Sequence, residues 1–102
     1  MFNKKVVGLD IDDKEQGKKL LKVLRILKIK GKYRLSSSRR GYHFRLNVNN
    51  HTKKENLLIR YMLGDCYGRF RSDVRRFNHG IRHLDILFDV KNNKKASVWR
   101  KI

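Results

Sequence analysis

The 102-residue chain contains no proline and a single cysteine, Cys66. One cysteine excludes an intramolecular disulfide and a thiolate zinc cage, indicates an intracellular protein, and leaves a homodimer through Cys66 open. No apolar run approaches the roughly 18 residues of a membrane span, and no signal-like apolar stretch follows Lys4 and Lys5. We therefore expect no membrane partner.

Acidic side chains are scarce, since 9 Asp and Glu stand against 27 Lys and Arg and give a formal net charge of +18. None lies between Gln16 and Lys54. Such a field attracts polyanions, because each phosphate that is neutralised releases a condensed counterion. The composition therefore predicts DNA or RNA as the partner, with solubility alone as the other explanation of the charge.

Hydrophobic residues make up 39% of the chain, enough for one core at this length. We expect a single domain over residues 1–102, with two pseudo-symmetric halves of about 1–40 and 41–102. Alternation of apolar and polar residues at a period of two predicts several strands. These are Lys5–Asp12, Tyr33–Ser38, Tyr42–Val48 and His83–Val90, with an edge strand in Ala96–Lys101.

Helices are predicted where a capping signal precedes apolar residues at helical spacing. Asp13 with Gln16 opens the first helix within residues 13–30, and Thr52 with Glu55 opens the second. A short third helix follows around residues 70–77. The order predicts an α+β fold, a ferredoxin-like or RRM-like β-α-β-β-α-β unit whose antiparallel sheet carries helices on one face, plus the extra C-terminal edge strand.

The same alternation predicts which side chains share the open face of the sheet, because residues two apart on a strand point the same way. That face is polar and mixed in charge. It comprises Asp10, Asp12, Arg34, Ser36, His43, Arg45, Asp85 and Asp89.

Two segments carry a motif: Leu9-Asp10-Ile11-Asp12, and Ser-Ser-Arg-Arg-Gly-Tyr-His over residues 37–43. Together they resemble the RRM-like catalytic core of archaeo-eukaryotic primases. The resemblance implies that Asp10 and Asp12 hold Mg²⁺ or Mn²⁺, with Asp85 as the third carboxylate, and that Ser37 and His43 contact nucleotide phosphates. The chain departs from the family pattern at Ser38, where glycine is expected, and covers only the RRM-like unit.

Each motif also has a plainer interpretation. Carboxylates before a helix, Asp13 above all, cap it and complement its dipole. Arg40, Gly41, Tyr42 and Phe44 partly match the RNP1 pattern of RNA-recognition motifs, which Arg45 breaks.

The basic residues change in type along the chain, because all of those before Arg25 are Lys. Arginine presents a planar fork that matches phosphate, so we expect the later arginines to contribute more per residue to nucleic-acid binding. The predicted contacts are Arg69, Arg71, Arg75, Arg76, Arg82, Arg39, Arg40, Lys18, Lys19, Lys22 and Arg25.

The leading hypothesis is a non-catalytic nucleic-acid-binding protein without a cofactor. The alternatives are an interaction module that captures an acidic or extended peptide in a groove or at a sheet edge, and a primase-like nucleotidyltransferase, or its inactive relative, that uses Mg²⁺ or Mn²⁺. Length, charge and lack of proline also resemble the small orphan proteins of crenarchaeal filamentous viruses. That resemblance implies a location in the host cytoplasm or the virion.

Overall fold

The computed structural model describes residues 4–87, 90–91 and 94–102. Along the chain the elements are β1 (Lys4–Ile11), α1 (Lys14–Ile26), β2 (Gly31–Leu35), β3 (Tyr42–His51), α2 (Lys53–Met62), α3 (Tyr67–Asn78), β4 (Val90–Lys91), β5 (Lys94–Lys95) and β6 (Arg100–Lys101). The main sheet has the order β1-β3-β2-β6 with antiparallel neighbours, and β4 pairs with β5 in a separate hairpin. The expected α+β fold with an antiparallel sheet is confirmed.

The core lies between one face of this sheet and the helices α1 and α2. Val7, Leu9 and Ile11 alternate along β1 and are buried, as are Phe44 and Leu46 on β3. Residues of α1 and α2 pack against them. Because successive side chains of a strand point to opposite faces, the residues between these apolar positions lie on the other face of the sheet, where the candidate site is found.

Both predicted helix starts are confirmed at their capping residues, Asp13 and Thr52. The Asp13 carboxylate accepts a hydrogen bond from the Glu15 amide at 2.9 Å at the start of α1. At the start of α2 the Glu55 amide donates to the Thr52 hydroxyl at 3.2 Å, and the Thr52 amide donates to the Glu55 carboxylate at 2.9 Å. The third helix is also confirmed, as α3.

The strand predicted at His83–Val90 is wrong over its described part. Residues 83–87 form no strand, Val90 belongs to the β4-β5 hairpin, and residues 88–89 lie outside the described residues. Asp85 has φ of +64°, which is incompatible with extended backbone. The apolar pattern at Leu84 and Leu87 therefore reflects burial without strand pairing.

The predicted C-terminal edge strand forms in shortened form. Of Ala96–Lys101 only Arg100 and Lys101 are in a strand, and they pair with β2 at Tyr33 and Lys32. After β3 the described part of the chain thus has the two expected helices, but three two-residue strands in place of the long strand expected at His83–Val90 and the longer edge strand. Within the described residues, no helix has the length and apolar character needed to cross a bilayer.

Candidate phosphate-binding cleft

A cleft of about 900 Å³ lies between the open face of the sheet and α3. This volume is within the range of small-molecule sites, about 300–1,000 Å³. Its walls come from β1, the β2-β3 hairpin, α3 from Gly68 to Arg76, the segment at residues 86–87, and Lys94 of β5. Most of the lining residues carry a carboxylate, a hydroxyl or a cationic group, while Ile86 and Leu87 add apolar surface.

Asp10, on β1, and Asp12, just after its end, lie together at one wall of the cleft, as the alternation over Lys5–Asp12 predicts. With Cys66 they form a group in which one ligand atom from each residue lies within 4.8 Å of the others. Gly41 explains how the hairpin packs so near, because a Cβ there would collide with the Ile11 carbonyl. Carboxylates suit Mg²⁺ and Mn²⁺, whereas a thiol suits softer ions. Burial raises the pKa of the Cys66 thiol, and its hydrogen bond to Asp12 acts in the same direction.

His43 lies opposite Asp10 across the β1-β3 pair and is only 5% exposed. Its Nε2 is 3.8 Å from the Asp10 carboxylate. Its Nδ1 accepts a hydrogen bond of 3.0 Å from Nε of Arg34, which is itself buried on β2. The Trp99 ring covers the guanidinium of Arg34 at 4.2 Å and that of Arg45 at 4.8 Å. The indole ring therefore covers two arginines on the open face of the sheet.

The hairpin between β2 and β3 brings three hydroxyls to the cleft. Ser36 and Ser37 are buried, and the Ser36 and Ser38 hydroxyls are 3.2 Å apart. Arg40 follows at the cleft wall, and its amide donates to the Ser38 hydroxyl at 3.3 Å. The structure thus brings together Ser37, His43, Asp10 and Asp12, the residues that the primase resemblance implied.

Asp85, the expected third carboxylate, is placed elsewhere. Its carboxylate accepts hydrogen bonds from the Gly8 amide at 2.8 Å and from Asn56 at 2.9 Å, and it pairs with Arg69. Burial alone would raise the pKa of Asp85, but the charge of Arg69 and these hydrogen bonds hold it below its ordinary value. Among the described residues, the third potential metal ligand grouped with Asp10 and Asp12 is therefore the Cys66 thiol, and Asp89 lies outside the described residues.

A buried ion-pair network surrounds Asp85. Arg60, fully buried, donates to Asp65 at 3.0 Å and to Asp73 at 2.7 Å. Asp73 also accepts from the Asp85 amide at 2.9 Å, and Arg69 donates to Asp65 at 2.8 Å. Burial would raise the pKa of Asp73, but the hydrogen bonds it accepts lower it. The network ties α2, α3 and the segment after α3 into one unit.

The network also closes the outer edge of β1, beside which no strand lies in the part of the chain that the structure describes. The Gly8 carbonyl accepts from Arg69 at 3.0 Å, and the Asp10 amide donates to Asp65 at 2.7 Å. Glycine is required at position 8, because a Cβ would collide with the Asp85 carboxylate. Backbone groups that would pair with another strand are therefore occupied by side chains from α3 and its flanking segments.

The predicted arginine set does not form one surface. Arg69 has a side chain only 12% exposed and is bound within the network. Arg76 pairs with Asp73 at 2.8 Å, remains about half exposed, and lines the cleft. Arg71 and Arg75 are exposed and lie about 200° round α3 from Arg69 and Asp73, away from the network. The other predicted contacts are exposed, namely Arg39, Arg40, Arg82, Lys18, Lys19, Lys22 and Arg25.

Sequence reasoning missed the roles of Cys66 and of Asp65 and Asp73. A signal existed for the last two, because Asp65 and Arg69 are spaced by four residues and Asp73 and Arg76 by three, as in ion pairs on a helix. Nothing in the sequence indicated that Cys66 meets Asp10 and Asp12. Comparison of the chain with family models, with curated proteins and with solved structures finds no match.

Proposed function

We propose that this chain binds nucleic acid through its phosphates, without catalysing a reaction, and that the cleft is its specific phosphate site. The observation that carries the proposal is the convergence of Ser37, Arg40, His43 and Arg76 in one cavity. Hydroxyls, guanidinium groups and an imidazole are the groups that bind phosphate oxygens in proteins. The exposed lysines and arginines outside the cleft supply a diffuse field that attracts the rest of the polyanion.

The arrangement of β1, α1, β2 and β3 supports the same proposal. Because β3 lies between β1 and β2, and α1 connects those two strands, this part of the chain forms a split β-α-β unit. That unit is the first half of the ferredoxin-like and RRM-like order. We include a ferredoxin-like relationship in the proposal. The viral origin, and the location in the host cytoplasm or the virion, stay predictions that rest on resemblance alone.

The test is a titration of single-stranded and duplex oligonucleotides at several salt concentrations. For about five phosphate contacts we expect log K to fall with log salt at a slope of roughly −4 to −5 on duplex DNA. Two neighbours in the hairpin provide a matched pair, because Arg40 lines the cleft and Arg39 does not. Arg40→Gln should weaken binding more than Arg39→Gln, although both remove one charge. No binding at low salt, or equal effects of the two variants, would contradict the proposal.

A peptide-binding module has less support. The β1 edge, where a peptide strand would add to the sheet, is occupied by Asp65, Arg69 and Asp85. The charged residues of the cleft, Arg40 and Arg76 among them, suit an anion, and an acidic peptide is also one, so the cleft by itself does not separate the two alternatives. An acidic peptide added as a competitor in the same titration distinguishes the two: its binding without oligonucleotide binding would favour the interaction module.

A second candidate is the primase-like nucleotidyltransferase or its inactive relative, which the pairing of Asp10 and Asp12 with His43 in one cleft favours. The two carboxylates fit Mg²⁺ or Mn²⁺, while Cys66 is a poor ligand for such hard ions. The test is nucleotide incorporation on a primed template with either metal. Incorporation that Asp12→Asn abolishes and Glu15→Gln preserves would establish the enzyme, because Glu15 is exposed and does not line the cleft.

A further inference from the structure

We propose that Arg34 is a positioning residue, which fixes His43 in the neutral tautomer that carries its hydrogen on Nε2. His43 is then a hydrogen-bond donor on the cleft side of the ring. This inference rests on the proposed function, since the acceptor that the donor serves is a phosphate oxygen bound in the cleft.

The tautomer follows from the donor chemistry of arginine. The guanidinium group remains protonated in proteins and has no acceptor atom, so Nε of Arg34 can only donate. It lies 3.0 Å from Nδ1 of His43, which must accept and therefore carries no hydrogen. A neutral imidazole with an unprotonated Nδ1 carries its hydrogen on Nε2. That atom lies on the side of the ring facing Asp10, 3.8 Å from its carboxylate.

Fixing the tautomer matters because phosphate oxygens only accept hydrogen bonds. An imidazole without this constraint divides between two neutral tautomers, of which one presents an acceptor to the cleft. The bond from Arg34 removes that form and keeps the ring orientation constant. His43 thus recognises phosphate as a neutral donor, while Arg40 and Arg76 supply charge at the same cavity.

Arg34 is itself held in place. Its residue is 4% exposed, and the Trp99 ring lies 4.2 Å from the centre of its guanidinium group. A cation over an indole face is a favourable contact, and it limits the rotamers open to the side chain. Trp99, in the C-terminal segment, therefore contributes to the orientation of His43 through its contact with Arg34.

The direct test is a long-range ¹H–¹⁵N correlation spectrum of the ¹⁵N-labelled wild-type protein near neutral pH, with His43 assigned from its loss in His43→Gln. We expect the pattern of the Nε2-protonated tautomer. The Nδ1-protonated pattern, or that of the imidazolium ion, would overturn the proposal. The tautomer itself is read from the unaltered chain, and His43→Gln serves only to assign the signal.

Two variants of Arg34 then connect the tautomer to binding, with inorganic pyrophosphate as the probe in calorimetry. Arg34→Gln retains an N–H donor for Nδ1, whereas Arg34→Met removes it. We expect Arg34→Met to lose the single tautomer and to bind pyrophosphate at least about tenfold more weakly, and Arg34→Gln to stay closer to wild type. Equal loss in both variants, with the tautomer unchanged, would reduce Arg34 to a packing role and overturn the proposal.

A pair at position 43 covers the case in which Arg34→Met does not fold. The amide nitrogen of Gln reaches the place of Nε2, and that of Asn the place of Nδ1. His43→Gln should therefore retain more affinity for pyrophosphate than His43→Asn, and the reverse order would overturn the proposal. If wild type binds neither pyrophosphate nor oligonucleotide, the proposed function fails, while the spectrum still decides the tautomer by itself.

Discussion

Replacing Asp85 with Asn should destabilise the protein far more than its single-atom change in shape suggests. One oxygen of the carboxylate accepts from Arg69, and the other accepts from Gly8 and Asn56. An amide has only one acceptor oxygen, so its NH₂ group must face a donor in either orientation. Arg69, with a side chain 12% exposed, is also left without part of its countercharge.

Removing one partner of a buried ion pair costs about 3–5 kcal/mol. A domain of this size has a free energy of unfolding of about 5–15 kcal/mol, so Asp85→Asn should remove a large share of it. Urea unfolding followed by circular dichroism measures the difference. Glu15→Gln is the matched control, because it makes the same change in net charge, from +18 to +19, at an exposed residue paired only with Lys18 among the described ion pairs. The control should cost no more than about 0.5 kcal/mol. If Asp85→Asn lowers the free energy of unfolding as little as the control does, the buried network does not stabilise the fold as argued.

Three further predictions follow from the same structure. The pKa values of Asp73 and Asp85 are lowered in the folded state. Their contribution to stability is therefore present above the unfolded pKa of about 3.9 and is lost as pH falls through the folded pKa values. Free energies of unfolding measured from pH 7 downwards should fall steeply below about pH 4, and a flat profile down to about pH 2 would contradict this. Incorporation of nucleotides should be absent with Mg²⁺ or Mn²⁺, because Asp85 is bound away from the other two carboxylates, and activity that Asp12→Ala abolishes would overturn that expectation. Replacing Arg71 and Arg75 by Ala should flatten the salt dependence of duplex binding by roughly two contacts, and an unchanged slope in the titration would exclude the outer face of α3 from the interface.

Much of the fold from β1 to α2 was predictable, because its signals are local. Thr52 and Glu55 satisfy each other within one turn of helix, so the capping box identifies the start of α2 without any tertiary contact. The alternation in β1 likewise gives the correct faces, since Val7 and Leu9 are buried and Asp10 lines the cleft.

The region around Asp85 was not predictable, because its conformation depends on distant partners. Gly8 donates to its carboxylate across 77 residues of chain, and Arg69 pairs with it from α3. These contacts favour a left-handed backbone at a position where the apolar pattern indicates a strand. The same limitation applies to the candidate site: the Asp10 and Asp12 pair follows from local alternation, but the approach of Cys66 depends on the position of α3.

The closure of the β1 edge by side chains affects the order of events in folding. The split β-α-β unit contains its own strand pairs, whereas the groups that close the edge come from 55 and 77 residues further along the chain. Contacts of such separation carry a high loop-closure cost and form late. Until α3 docks, the unpaired amides of Gly8 and Asp10 form an open strand edge, at which two chains can associate. Protonation of the acidic side chains at low pH would prolong that stage, so refolding in acid should produce aggregates that begin at β1.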